Sequence, residues 1–128
     1  MTLQCGVQRV AQHGETIKSM SAQELHARKS NGNAVFVLDV REPLELLMSG
    51  AIGGVCNIPI RSLKDHLDVL PKSKQAAIVC VCQSGSRSLE AAHYLLQQGY
   101  ENVVNLAGGT SSWIKTGFPV VRSGQPVT

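Results

Sequence analysis

Two uninterrupted apolar runs limit what this chain can become. Ala34-Val35-Phe36-Val37-Leu38 and Ala76-Ala77-Ile78-Val79-Cys80-Val81 contain no charged residue or amide. A strand with one wet face alternates apolar and polar residues, whereas a continuous apolar run belongs to a strand covered on both faces. Val103 to Leu106 reads as a further short buried strand. Helical patterns separate these runs. Strands alternating with helices predict an α/β domain with a mainly parallel central sheet and helices on both faces.

Local signals place the remaining elements. Glu15 to Lys18 suits a short first strand. Ser21 and Glu24 have the spacing of a capping box, and Met20 and Leu25 that of a hydrophobic staple, so a helix starts here and ends near Asn31-Gly32. Pro43 suits the first turn of a short helix that stops before Gly50. Gly50 to Pro59 reads as a loop with a short strand around Val55-Cys56, and Arg61 to Leu70 as a helix or helical turn. Ser86 to Gln98 predicts a helix with Leu89, Ala92 and Leu96 on one face and Gly99 as its stop. Gly108-Gly109 turns the chain into a last helix around Ser111 to Lys115, with Trp113 packing it on the sheet. The expected division is an N-terminal arm over 1–14, one domain over 15–122 and a tail over 123–128.

Composition removes several classes of function. At 43% hydrophobic and 16% charged, the chain is neither disordered nor fibrous. The net charge of +3 is scattered, with no Lys/Arg cluster, so no nucleic-acid partner is expected. No apolar stretch approaches the roughly 18 residues of a membrane span, so no membrane partner is expected. The N-terminus has no hydrophobic block and does not read as a secretory signal. The cysteines are Cys5, Cys56, Cys80 and Cys82. Cys80 and Cys82 are one residue apart, which is not a zinc spacing, and the histidines lie far from them. No metal and no cofactor is expected, and the expected compartment is the reducing cytoplasm.

Chemistry concentrates behind the strongest strand, in Cys82-Gln83-Ser84-Gly85-Ser86-Arg87-Ser88. In a parallel sheet, sites form at the carboxyl ends of the strands. Cys82 falls at such an end, just ahead of a helix N-terminus, where free N–H groups and the helix dipole favour negative charge. Gly85 lets the backbone curl into an anion cradle. Ser84, Ser86 and Ser88 can add hydroxyl donors, and Arg87 is a permanent cation at the rim. Each feature favours thiolate over thiol. Two readings stand at this point: Cys82 is a nucleophile, or it is a small apolar residue at an ordinary strand–loop–helix junction.

The residues resemble single-domain rhodanese-like sulfurtransferases from about Ile17 to Val121. Leu38-Asp39-Val40-Arg41-Glu42-Pro43 is similar to the family's Asp-Val-Arg-Glu-Pro segment. Gly50 to Pro59, closing on Asn57-Ile58-Pro59, resembles the stretch that usually reads Gly-His-Ile-Pro-Gly-Ala and ends Asn-Ile-Pro. The loop 82–88 matches the active-site loop. Leu106 to Trp113 with Gly108-Gly109, then Gly117-Phe118-Pro119-Val120, resembles the closing segment. The resemblance implies a rhodanese-like fold with a five-stranded sheet. It implies transfer of a sulfane sulfur from a small anionic donor such as thiosulfate, through a Cys82 persulfide, to cyanide, a thiol or a partner protein of a sulfur relay. Gln83 to Ser88 would bind the persulfide, Asp39 and Arg41 would support the loop, and Arg87 would either steer the donor or brace the loop. The alternatives are a non-catalytic docking or regulatory module and a phosphatase or arsenate reductase. The related phosphatases have a loop one residue longer than the four residues between Cys82 and Arg87. Ala51 and Gly53 depart from the usual histidine and proline, which leaves the loop before Val55 less constrained. Cys80 shares a strand face with Cys82 and reads as core filler, with a resolving thiol as the other option.

Overall fold

A computed structural model of the chain describes residues 17–122. The expected arm over 1–14 and tail over 123–128 lie outside the described residues. Five strands form one sheet: β1 (Lys18–Met20), β2 (Phe36–Asp39), β3 (Cys56–Asn57), β4 (Ile78–Val81) and β5 (Val103–Leu106). Their order is β1-β5-β4-β2-β3, with every neighbouring pair parallel. Four α-helices alternate with them: α1 (Ala22–Ser30), α2 (Pro43–Ser49), α3 (Ser86–Gln97) and α4 (Gly109–Thr116). A 3₁₀ stretch, Ile60–Val69, follows β3 and is broken at His66, where φ is −130°.

The two apolar runs became the two central strands, because neighbours in a strand point to opposite faces and here both faces are covered. Leu38, Ile78 and Cys80 pack with Ala91, Ala92 and Leu95 of α3 and with Leu63 and Leu70. Val37, Val79 and Val81 pack on the other side with Ala22 and Leu25 of α1 and Trp113 of α4. Side chains of this size contribute about 1.5–3 kcal/mol each when fully buried, and the sheet collects them from both sides. Trp113 packs as expected. Its ring is tilted against Phe118, and its indole N–H donates to the Pro119 carbonyl at 2.8 Å.

Caps and stops fall where the sequence signals put them. The Ser21 hydroxyl accepts from the Glu24 N–H, and Glu24 accepts from the Ser21 N–H, at 3.0 and 2.8 Å. Pro43 opens α2, and Gly99 leaves α3 with φ of +97°.

Three expectations need correction. The first strand is Lys18–Met20, not Glu15 to Lys18, and residues 15 and 16 lie outside the described chain. It is a sheet edge with a single buried residue, Met20, so no apolar run marks it. On α3 the buried face is Ser88, Ala91, Ala92 and Leu95, while Leu89 and Leu96 are exposed at 39% and 37%. The buried face thus includes a polar residue, Ser88, whose hydroxyl lies beside Cys82. The loop before Val55 is also pinned: Ala51 and Val121 exchange two backbone hydrogen bonds of 2.8 Å, and Ala51 and Ile52 are buried. Pairing with the closing segment restrains this loop although Ala51 and Gly53 stand at its start.

Candidate active site

Cys82 follows the last residue of β4, and the chain leaves it in a tight curl into α3. Gly85 is the residue that permits the curl. Its φ of +117° lies in the region that side chains resist. The curl aims the Gly85 N–H at the Cys82 sulfur, 3.0 Å away, and the Ser88 hydroxyl reaches the sulfur at 3.3 Å. Burial alone pushes the thiol pKa up. The Ser88 hydroxyl and the backbone N–H groups of Ser88, Gly85 and Ser84 outweigh it, so the Cys82 thiol is held below its ordinary value. Cys82 is 1% exposed. Its sulfur is therefore a nearly enclosed acceptor of several hydrogen bonds, which favours the anion.

The loop carbonyls point the other way, onto a second helix N-terminus. The Thr110 N–H donates to the Cys82 carbonyl at 2.9 Å, and the Ser111 N–H to the Gln83 carbonyl at 3.0 Å. Two N–H groups of the first turn of α4, which have no partner within their own helix, thus hold the carbonyls of Cys82 and Gln83, and the second of these peptides carries the Ser84 N–H that faces the sulfur. Gly109 makes this approach possible, since a Cβ there would lie 2.6 Å from the Gln83 carbonyl oxygen and against that of Cys82. The Gln83 side chain bridges further: its amide donates to Ser111 Oγ at 2.7 Å and its Oε1 accepts from Arg41 at 3.3 Å.

Asp39 and Arg41 are both fully buried. Arg41 Nε and Nη2 clasp the Asp39 carboxylate at 2.9–3.2 Å, and Nη1 and Nη2 also donate to Ser49 Oγ and the Gly50 carbonyl at 3.0 Å. The pair therefore reaches the loop through Gln83. Arg87 does not point into the cradle as a free cation. It donates two hydrogen bonds to Glu45 of α2, at 2.7 and 2.8 Å. That contact holds Glu45 down at about 2 and raises Arg87.

Of the three loop serines, only Ser88 presents its hydroxyl to the sulfur. Ser84 and Ser86 are exposed, and Ser84 contributes its backbone N–H instead. Cys80 is fully buried, and burial together with the nearby Cys82 charge pushes its thiol up to about 12. It stays protonated core. Four residues at the site were not anticipated as site residues: Glu45, Asn105, Thr110 and Ser111. Asn105 alone left a readable signal, an amide inside the apolar segment Val103 to Leu106. Among the described residues, no group of three or more His, Cys, Asp or Glu is placed to hold a metal ion, and no helix is long and apolar enough to cross a membrane.

The parallel sheet with helices on both faces defines an α/β protein whose Cys82 stands, hydrogen-bonded, at a strand–loop–helix turn. This chain belongs to the rhodanese-like domain family, whose model matches residues 21–116. It is 32% identical over 105 residues to a sulfurtransferase of Allochromatium vinosum, a match covering 82% of this chain and 95% of that one. It is 34% identical over 87 residues to the thiosulfate sulfurtransferase GlpE of Pseudomonas aeruginosa, covering 68% and 76%. Among solved structures, a rhodanese-related protein from Thermoplasma volcanium superposes with a TM-score of 0.73 at 38% identity, covering 83% and 99%. Family membership and the named relatives support sulfur transfer as the general chemistry.

Proposed function

We propose that this protein is a sulfurtransferase that carries a sulfane sulfur as a persulfide on Cys82. In the first half-reaction the Cys82 thiolate attacks the outer sulfur of thiosulfate. A new S–S bond forms on Cys82, the donor S–S bond breaks, and its electron pair leaves with sulfite. In the second, cyanide or a thiolate attacks the terminal sulfur. It departs as thiocyanate or a new persulfide, and the electron pair of the broken bond restores the Cys82 thiolate. No oxidant is consumed, and no general base is needed once the thiol has ionised.

The observation that carries this reading is the Gly85 N–H aimed at the Cys82 sulfur at 3.0 Å. The same ring of N–H groups suits an anionic terminal sulfur. Gln83 to Ser88 would form the binding loop, with Arg87 bracing it against Glu45 and Asp39 with Arg41 supporting it through Gln83. The tight loop favours a single sulfur atom over a tetrahedral oxyanion. The three described cysteines are free, and a reducing cytoplasm suits them.

Turnover tests the reading. With thiosulfate and cyanide, the protein should form thiocyanate at a rate that Cys82→Ser abolishes. Hydrolysis of an aryl phosphate without thiocyanate formation would instead make it a phosphatase. Silence with every donor would leave a docking module.

A further inference from the structure

Asn105 lies in mid-strand on β5, paired in register with Cys80, and is 8% exposed. Its neighbours Val103 and Leu106 are buried apolar residues. A buried amide in such a strand needs partners for its donors and acceptor. It finds them at the two ends of the sulfur cradle. Oδ1 accepts from the Ser88 hydroxyl at 2.5 Å, and Nδ2 donates to the Gly85 carbonyl at 3.2 Å. The opposite orientation of the amide would set oxygen against the Gly85 carbonyl oxygen. Gly85 and Ser88 are the residues whose N–H and hydroxyl contact the Cys82 sulfur.

We propose that Asn105 is a positioning residue for Cys82: it ties the Gly85 peptide and the Ser88 hydroxyl to one amide, and it shares the single Ser88 proton with the sulfur. A hydroxyl has one hydrogen to donate. When Cys82 is a thiol, Ser88 donates to Asn105 and can accept from the S–H. When the sulfur is anionic, the Ser88 hydroxyl rotates to donate to it. Once charge moves out to the terminal sulfur of a persulfide, the proton turns back to Asn105. Asn105 therefore holds a donor in reserve beside the sulfur without carrying charge itself. In its transfer cycle the inference rests on the sulfurtransferase reading, but its effect on the thiol does not.

The charged and titratable groups that sense the sulfur are Cys80 behind it on β4 and Arg87 on α3. Glu45 of α2 is held on Arg87. β5 and the first turn of α4 present none. Substitutions at 105 leave all of them in place.

The test is the pH dependence of Cys82 alkylation by iodoacetamide, followed on the Cys82 peptide by mass spectrometry, in the wild type, Asn105→Leu, Asn105→Ser and Ser88→Ala. Ser88→Ala, which removes the donor to the anion, should slow alkylation near neutral pH about tenfold and move the midpoint up by about one unit. Asn105→Leu and Asn105→Ser, which untie the Gly85 carbonyl but leave the Ser88 proton to the sulfur, should move it up by less. In the Ser88→Ala background no proton is left to share, so Asn105→Leu should act through the Gly85 carbonyl alone and shift the midpoint by more than it does in the wild type. The leucine variant risks crowding the strand. The serine variant and Ser88→Ala introduce no bulk, and circular dichroism checks that each is folded. A folded variant that is less stable but keeps the wild-type alkylation profile overturns the proposal, as does full additivity of the two substitutions. If the profile shifts while the wild type never accepts sulfur, the positioning role stands and the sulfurtransferase reading falls.

Discussion

Arg87, on the first turn of α3, and Glu45, on α2, meet in a two-bond fork of 2.7 and 2.8 Å that fastens the cysteine loop to the helix beyond β2. The contact holds the Glu45 carboxyl at about 2, against an ordinary 4.5. A depressed carboxyl stabilises the fold at pH values above its unfolded pKa and loses that contribution as pH falls through the folded one. The fork should therefore act fully above about pH 4.5 and fade towards pH 2. Both side chains are about one-third exposed, so its contribution is screened to about 1 kcal/mol. Urea unfolding across this range should give Glu45→Gln a flatter profile than the wild type. Identical profiles would mean that the fork does not hold the loop.

Gly109 should be the least replaceable residue of the closing segment. A Cβ at this position would enter the peptides of Cys82 and Gln83, and its φ of +61° already resists a side chain. Gly32 has φ of +76° but nothing within 4 Å of such a Cβ. Gly32→Ala should cost only the conformational term, about 1 kcal/mol. Gly109→Ala should cost at least twice that and also slow sulfur transfer, because the loop must shift. Equal losses in the two variants, measured by thermal unfolding, would contradict the packing role.

The buried Asp39–Arg41 pair should matter to stability far more than to chemistry. Asp39→Asn leaves a guanidinium without its counter-charge in the interior, where removing one partner of such a pair typically costs about 3–5 kcal/mol. The fraction that folds should turn over within a few-fold of the wild type, since Arg41 reaches the loop only through Gln83. Denaturant titration and initial rates corrected for the folded fraction measure the two effects separately. A fold of normal stability with no turnover would move this pair into the reaction itself.

The fold was legible wherever burial left a continuous apolar run, and it failed where it did not. β2 and β4 announced themselves, whereas β1 buries only Met20 and offers no pattern. The inward face of α3 was misread because a polar residue, Ser88, belongs to it. Counting hydrophobic residues favours Leu89 and Leu96, whereas the buried face combines Ala91, Ala92 and Leu95 with Ser88, whose hydroxyl donates to Cys82. At the candidate site, Cys82 and its loop are contiguous in the sequence, so their grouping needs no tertiary information. Glu45, Thr110 and Ser111 come from α2 and α4, and only the parallel sheet order brings them to the loop. Asp39 and Arg41 stand two residues apart in the sequence, but only the fold shows that they support the loop as a buried pair reaching it through Gln83.

The most direct measurement concerns the sulfur on Cys82 itself. After incubation with thiosulfate, intact mass spectrometry of the folded protein should show the gain of one sulfur atom. Peptide mapping should assign it to Cys82, and an acceptor thiol should remove it. An unchanged mass, or sulfur carried on Cys56 while Cys82 stays bare, would contradict a cradle built to hold anionic sulfur.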